Sequence, residues 1–236
     1  MPRLPADPEG FIRANTALET PAMVPEFKLW LASEYVPIWQ ATEAWMDQQN
    51  IDPPYWAFCW PGGQAIARYL LDNPERVRGK RVLDFAAGSG VSAMAAVRAG
   101  AVSVVANDID LLSLVAARLN AEANDLAIET SADDWLARPD AAPDADVVIA
   151  GDVCYEREMS ARALTWLRDH ANAGRLVLLG DPGRNYFSAQ GLEELARYEI
   201  PTSLQLENRG MRKTVVWRVL PADEGVDFDF LGPAKG

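Results

Sequence analysis

The stretch RVLDFAAGSGVSAMAAVRAG, residues 81–100, restricts the fold more than any other part of the chain. Val82, Leu83 and Phe85 form a short apolar run entered from a polar turn, the pattern of a buried strand, and the residues after Gly88 and Gly90 read as a helix ending at Gly100. A strand that turns through glycines into a helix lets backbone approach a ligand with no side chain between, and the helix N-terminus aims its unpaired N–H groups at the same place. The neighbouring segments repeat the alternation. GGQAIARYLLDNP reads as a helix with Ile66 and Leu70 on one face, stopped by Asn73 and Pro74. SVVAND reads as a second strand, and LLSLVAARLNAEAN as a helix burying Leu112, Val115, Ala116, Leu119 and Ala123. LAIETS, DVVIAGD and RLVLLGD read as three more strands. The series predicts an α/β fold with a doubly wound, mostly parallel sheet, helices on both faces and ligands at the carboxyl ends of the strands.

Both ends of the chain depart from this alternation. YEIPTSLQLE and KTVVWRVL are strand-like and joined by the turn-prone NRG with no helix between, so they are expected to pair as an antiparallel hairpin at the sheet edge. Near the N-terminus EFKLWLA alternates Phe27, Leu29 and Leu31 like a strand and WQATEAWMDQQN reads as a helix. Residues 1–59 are therefore expected as an N-terminal cap, 60–220 as the main domain, and 221–236 as an acidic tail, frayed or lightly docked.

Charge and cysteine usage exclude several function classes. With 22 basic against 34 acidic residues, a formal charge of -12, the chain repels a polyanion, and nucleic acid is not the expected partner. The local basic group Arg209, Arg212, Lys213 reads as a solvated face. Cys59 and Cys154 with a single histidine supply neither a disulfide scaffold nor a metal-ligand set. His170 is expected in an exposed last helical turn. The N-terminus lacks the apolar core of a signal peptide, and no apolar run approaches the ~20 residues that span a bilayer, so a cytoplasmic protein with no membrane partner is expected.

The glycine turn admits two cofactors. Gly88, Gly90 and Ala93 satisfy G-x-G-x-x-A, and Asp108 follows Gly88 by 20 residues, as a dinucleotide fold requires. Asp84 tilts the reading. It places a carboxylate at the strand end where a dinucleotide fold has an apolar residue, and a carboxylate there suits the cationic amino-acid moiety of S-adenosylmethionine.

VLDFAAGSG, ANDID and the terminal hairpin, over roughly residues 60–220, resemble the seven-stranded, Rossmann-like S-adenosylmethionine-dependent methyltransferases. Within them PYWAFCWPGGQAIARYLLDNPERVRGKRVLDF, GDVCYE and GDPGR resemble the lysine methyltransferases of the electron transfer flavoprotein beta subunit. The resemblance implies a protein-lysine N-methyltransferase whose protein substrate is that subunit. It also implies roles. Trp60 would sit against the cofactor, Gly88, Ser89 and Gly90 would touch its methionine part, and Asp84 and Gly151 are also expected to bind it. Asp108 would meet the ribose and Trp135 the adenine. Asp152 and Tyr155, the ends of a D/E-x-x-Y/F element, would form the active site. Ala86 departs from the family pattern, standing where the first glycine of D-x-G-x-G-x-G is usual.

The chemistry of lysine methylation suggests what these residues must do. An amine with a pKa near ~10.4 is almost wholly protonated at neutral pH and carries no lone pair for attack. Asp152 is expected to attract and orient it, Tyr155 to form the channel wall, and Arg184 to shape the acceptor side. Asp152 is further expected to be an exposed strand-end residue contributing little packing; a helix N-cap before EREMSARALTWL is its structural alternative. A small-molecule amine methyltransferase, or a dinucleotide oxidoreductase or non-catalytic cofactor-binding module, remain the competing functions.

Overall fold

A computed structural model describes residues 4–32, 43–202 and 210–222. After α1 (Pro8–Asn15), the hairpin β1 (Ala17–Glu19) and β2 (Leu29–Leu31), and α2 (Glu43–Gln49), the main domain opens with α3 (Pro61–Asp72). It continues through β3 (Arg81–Phe85), α4 (Val91–Arg98), β4 (Ser103–Asn107), α5 (Leu111–Glu122), β5 (Glu129–Ser131), β6 (Val147–Gly151), α6 (Arg157–Asn172) and β7 (Leu176–Asp181). The antiparallel pair β8 (Leu192–Pro201) and β9 (Met211–Val219) ends it.

These seven strands form one sheet in the order β5-β4-β3-β6-β7-β9-β8, with β9 antiparallel to both neighbours and the first five strands parallel. The chain moves outward from β3 to β5 and then returns to β6 on the other side of β3. The direction of winding therefore reverses between β3 and β6, the place where a doubly wound sheet opens a crevice at its carboxyl edge. The residues following β3 and β6 are brought together by this reversal.

The helices begin where the sequence supplies acceptors. Asp110 accepts from the backbone N–H of Leu112 at 2.9 Å to start α5, and Glu156 accepts from those of Glu158 and Met159 at 3.0 and 2.8 Å to start α6. The expected stripe on α5 is buried except for Ala123, which lies exposed at the helix end. The N-terminal segment is what covers this stripe. Ile12, Ile51, Trp56 and Ala57 pack against Leu112, Val115, Ala116 and Leu119, so the N-terminal segment extends the core.

Two expectations need correction. The first strand of the hairpin begins at Leu192 instead of Tyr198, and it ends at Pro201; residues 203–207 of the expected strand and the expected turn residues Asn208 and Arg209 lie outside the described residues, as do residues 39–42 of the expected N-terminal helix and 223–236 of the tail. LEELAR carries helix-forming residues, yet pairing along β9 holds it extended. His170 is only 6% exposed, packed edge-on at 4.1 Å from Trp166, with its Nδ1 against the Arg175 guanidinium. Burial, followed by repulsion from Arg175, lowers its pKa to about 4. The unfolded chain therefore binds the proton first as pH falls, and stability contributed by neutral His170 is present above about 6.5 and lost toward 4. We expect the acid-side fall of the thermal midpoint across that window to be shallower in His170→Gln, as followed by circular dichroism; equal slopes would exclude His170 as its source.

Candidate active site

The turn after β3 holds three of its residues in the left-handed region: Ala86 at φ 54°, Gly88 at 51° and Gly90 at 76°. Ala86 thus adopts the conformation of the glycine it replaces, at a cost of ~1–2 kcal/mol that glycine would avoid. Gly90 lets α4 approach α5, since a Cβ there would lie 2.8 Å from that of Ala117. At Gly88 an added Cβ would meet nothing within 4 Å, so its surroundings are open space, on the wall of a cavity. That cavity is lined on one side by Asp84, Ala86, Gly88, Ser89 and Ser92, and on the other by Phe58, Trp60, Gly63, Gly151 and Asp152.

Both acidic residues assigned to the cofactor also support the turn. Asp84 is 2% exposed and accepts from the Ala93 backbone N–H at 2.9 Å, capping the first turn of α4 while lining the cavity. Burial, reinforced by Asp108, raises its pKa to about 8. Asp108 accepts from the N–H groups of Gly88 and Asp110, each at 3.0 Å, and burial raises its pKa to about 6. Asn120, which sequence reasoning passed over, donates to the Ser89 carbonyl at 2.9 Å and accepts from Trp30 N–H at 2.7 Å, tying the turn to β2.

The opposite wall depends on interleaved glycines. A Cβ on Gly62 would lie 2.3 Å from the Gly180 carbonyl oxygen and 2.5 Å from Asp152 Oδ2, and one on Gly151 would lie 2.7 Å from Gly63 N. The N-terminus of α3 therefore rests directly on the ends of β6 and β7. The signal lay in Pro61-Gly62-Gly63 and in the Gly-Asp pairs 151–152 and 180–181 at the ends of neighbouring strands.

Asp152 sits at this junction and is 8% exposed, with φ 56°. The expectation of an exposed residue with little packing is corrected. Its Oδ2 accepts from Gly62 N–H, and its Oδ1 accepts from Arg184 Nε at 3.0 Å and Nη2 at 2.6 Å. Asp152 does serve a helix N-terminus, but that of α3; Glu156 caps α6. The Arg184 guanidinium in turn lies 5.4 Å from the Trp60 ring centroid, and Trp60 Nε1 donates to the Tyr55 carbonyl at 2.8 Å.

Tyr155 is 46% exposed, its ring 5.5 Å from that of the equally open Tyr55. Burial of the hydroxyl, with Tyr55 and Asp108 adding to it, raises its pKa to about 12, so it supplies surface and no base at neutral pH. Cys154 is fully buried, its thiol pushed up by burial and then by Asp181, as befits a packing residue. Trp135 is not brought to the cavity. It has no exposed surface and stacks 6.0 Å from Trp166 in the core beneath β3 and β6, which leaves no face to offer an adenine ring.

Known proteins resemble the chain to different extents. The family model of ribosomal protein L11 methyltransferase matches residues 67–153. Electron transfer flavoprotein beta subunit lysine methyltransferases match far more of it: that of Danio rerio is 37% identical, covering 90% of this chain and 83% of the relative. That of Xenopus laevis is 38% identical over 91% and 87%, and that of Homo sapiens 35% identical over 91% and 84%. Among solved structures, ribosomal protein L11 methylase from Lactobacillus delbrueckii subsp. bulgaricus superposes with a TM-score of 0.51 at 23% identity, covering 78% of this chain and 93% of that one, a likeness of fold.

Proposed function

The chain belongs to the electron transfer flavoprotein beta subunit lysine methyltransferases, which are S-adenosylmethionine-dependent, and from that membership we propose that its acceptor is a lysine of that flavoprotein subunit. The extent of the likeness supports this choice of acceptor. The match to the ribosomal protein L11 methyltransferase model stops at residue 153, within the cofactor-binding core, whereas the match to the flavoprotein enzymes covers about 90% of the chain. It thus takes in segments outside that core.

The residues present fit the cofactor. Asp84 is a buried carboxyl on the cavity wall whose ionisation burial opposes, and a cation beside it would favour the charged form. The open space at Gly88 and the N-terminus of α4 would take the amino-acid portion, Asp108 a ribose hydroxyl, and Trp60 and Gly151 the opposite side. When bound, S-adenosylmethionine supplies an electrophilic methyl group on a sulfonium. The protein's own task is to align a neutral amine with it and keep water away. Tyr55 and Tyr155 would wall the amine, while the Asp152 carboxylate would stabilise positive charge developing on its nitrogen.

The deciding experiment incubates the purified protein with recombinant flavoprotein beta subunit and S-adenosylmethionine and reads the lysines by mass spectrometry. Methyl groups on lysines of the subunit are expected. Efficient methylation of free amines with the subunit untouched would select the small-molecule reading instead. In parallel, Asp84→Asn should weaken S-adenosylhomocysteine binding by about 1.5–3 kcal/mol in calorimetry. In the unaltered protein that affinity should rise with pH toward about 8, as Asp84 ionises.

A further inference from the structure

We propose that Arg184 is the positioning residue of the acceptor site: it fixes the Asp152 carboxylate in the wall and, by balancing its charge, makes the mouth receive lysine as a neutral amine. This rests on the lysine acceptor proposed above.

A solitary carboxylate at the mouth would work against the reaction. An ionised Asp152 beside an incoming ammonium favours the protonated form, which binds well and cannot attack. Arg184 changes that balance. Its guanidinium takes Asp152 Oδ1 through two N–H donors at 3.0 and 2.6 Å, so the pair offers an amine little net charge while the carboxylate stays close. The nucleophile gains only part of a positive charge in the transition state, whereas an ammonium carries a whole one. The guanidinium therefore penalises the unproductive form more than the reacting one.

The surroundings hold Arg184 to this place. Its side chain is 16% exposed and lies over Trp60, and its backbone N–H, with that of Gly183, donates to Asp181 Oδ1 at 2.8 and 2.7 Å. The titratable groups around the pair come from the elements packed on it, and Asp84 of β3, its pKa raised to about 8 by burial, lines the same cavity. Asp181 ends β7, its pKa raised to about 7 by burial and by Asp152. Cys154 and Tyr155 follow β6, and Cys59 precedes α3; burial keeps all three protonated at neutral pH. None of these groups supplies a second cation. Among these described groups Arg184 is the cation, and it sets the mouth against an ammonium ion.

The test is the pH dependence of turnover at saturating cofactor and flavoprotein subunit, for the unaltered enzyme, Arg184→Gln and Arg184→Lys, with melting temperature and S-adenosylhomocysteine affinity measured alongside. The unaltered enzyme should show an acid limb about one unit or more below the ~10.4 of free lysine. Arg184→Gln should move that limb up by about one unit, lose about tenfold in rate at pH 7, and recover to within about fivefold near pH 9.5. Arg184→Lys, keeping the charge, should keep the limb. Replacing the target lysine by aminoethylcysteine, a less basic amine, should lower the limb in each enzyme, assigning it to the acceptor and not to Asp181. A uniform loss at every pH in Arg184→Gln would overturn the proposal and leave Arg184 as a brace. If that variant does not fold, an acid limb at the free-lysine value in the unaltered enzyme overturns it equally. No methylation of the subunit at any pH would defeat the acceptor assignment itself, and this inference with it.

Discussion

Asp152→Asn is expected to lower turnover at saturating cofactor about 10²-fold or more, the scale of losing one preorganised electrostatic partner, and to lower the melting temperature as well. Both losses have the same structural origin. The Asp152 carboxylate joins Gly62 N–H at the start of α3 to the Arg184 fork beyond β7, and its side chain is 9% exposed. Removing one partner of a buried pair leaves the other charge poorly solvated, at ~3–5 kcal/mol, and the amide that remains offers only one oxygen. Stability must therefore be separated from chemistry. Turnover should be expressed per folded molecule at a temperature well below the variant's midpoint, with S-adenosylhomocysteine affinity expected within about threefold of normal, because Asp84 and the glycine turn are untouched. A near-normal rate per folded molecule would remove Asp152 from the acceptor site and leave it as a strut.

The positions of Asp84, Gly88, Gly90 and Asp108 were legible because a strand, a glycine turn and a helix are local, and each residue type has a local reason to be there. The parallel series and the antiparallel ending were legible for the same reason, since connection length alone distinguishes a crossover from a hairpin. What sequence hid is what long-range contact decides. Asp152 meets Arg184 across 32 residues and Gly62 across 90, so its burial could not be read from a polar residue at a strand end. His170 follows Arg168 and Asp169, a solvated-looking context, yet helix α6 turns it beneath Trp166. Trp135 likewise looked available until Trp166 covered it. The first part of strand β8, residues 192–197, was hidden by composition: Glu193, Glu194 and Arg197 favour no buried strand, but charges on an outermost strand discourage pairing with another chain.

Gly62→Ala should be among the most damaging of the small substitutions, although it adds one methyl group to a residue in an ordinary helical conformation, where alanine is normally the better choice. The reason is the surroundings. The new Cβ would stand 2.3 Å from the Gly180 carbonyl oxygen, 2.5 Å from Asp152 Oδ2 and 2.7 Å from Asp152 N, and two of these are backbone atoms at the ends of central strands. None belongs to the free end of a flexible side chain. Helix α3 would have to lift from β6 and β7, parting Gly62 N–H from Asp152 and displacing the carboxylate from the cavity, so the overpacking cost should reach about 3 kcal/mol or more. For a chain of this length that lowers the midpoint by ~6–12 °C, and methylation should fall even in molecules that remain folded. Gly174→Ala provides the comparison. Gly174 has φ 81° and nothing within 4 Å of an added Cβ, so its replacement should cost only the left-handed conformation, about 1–2 kcal/mol, with activity kept. If Gly62→Ala proved as stable and active as Gly174→Ala, the close seating of α3 on the strand ends would be wrong, and with it the placement of Asp152 at the mouth of the cavity.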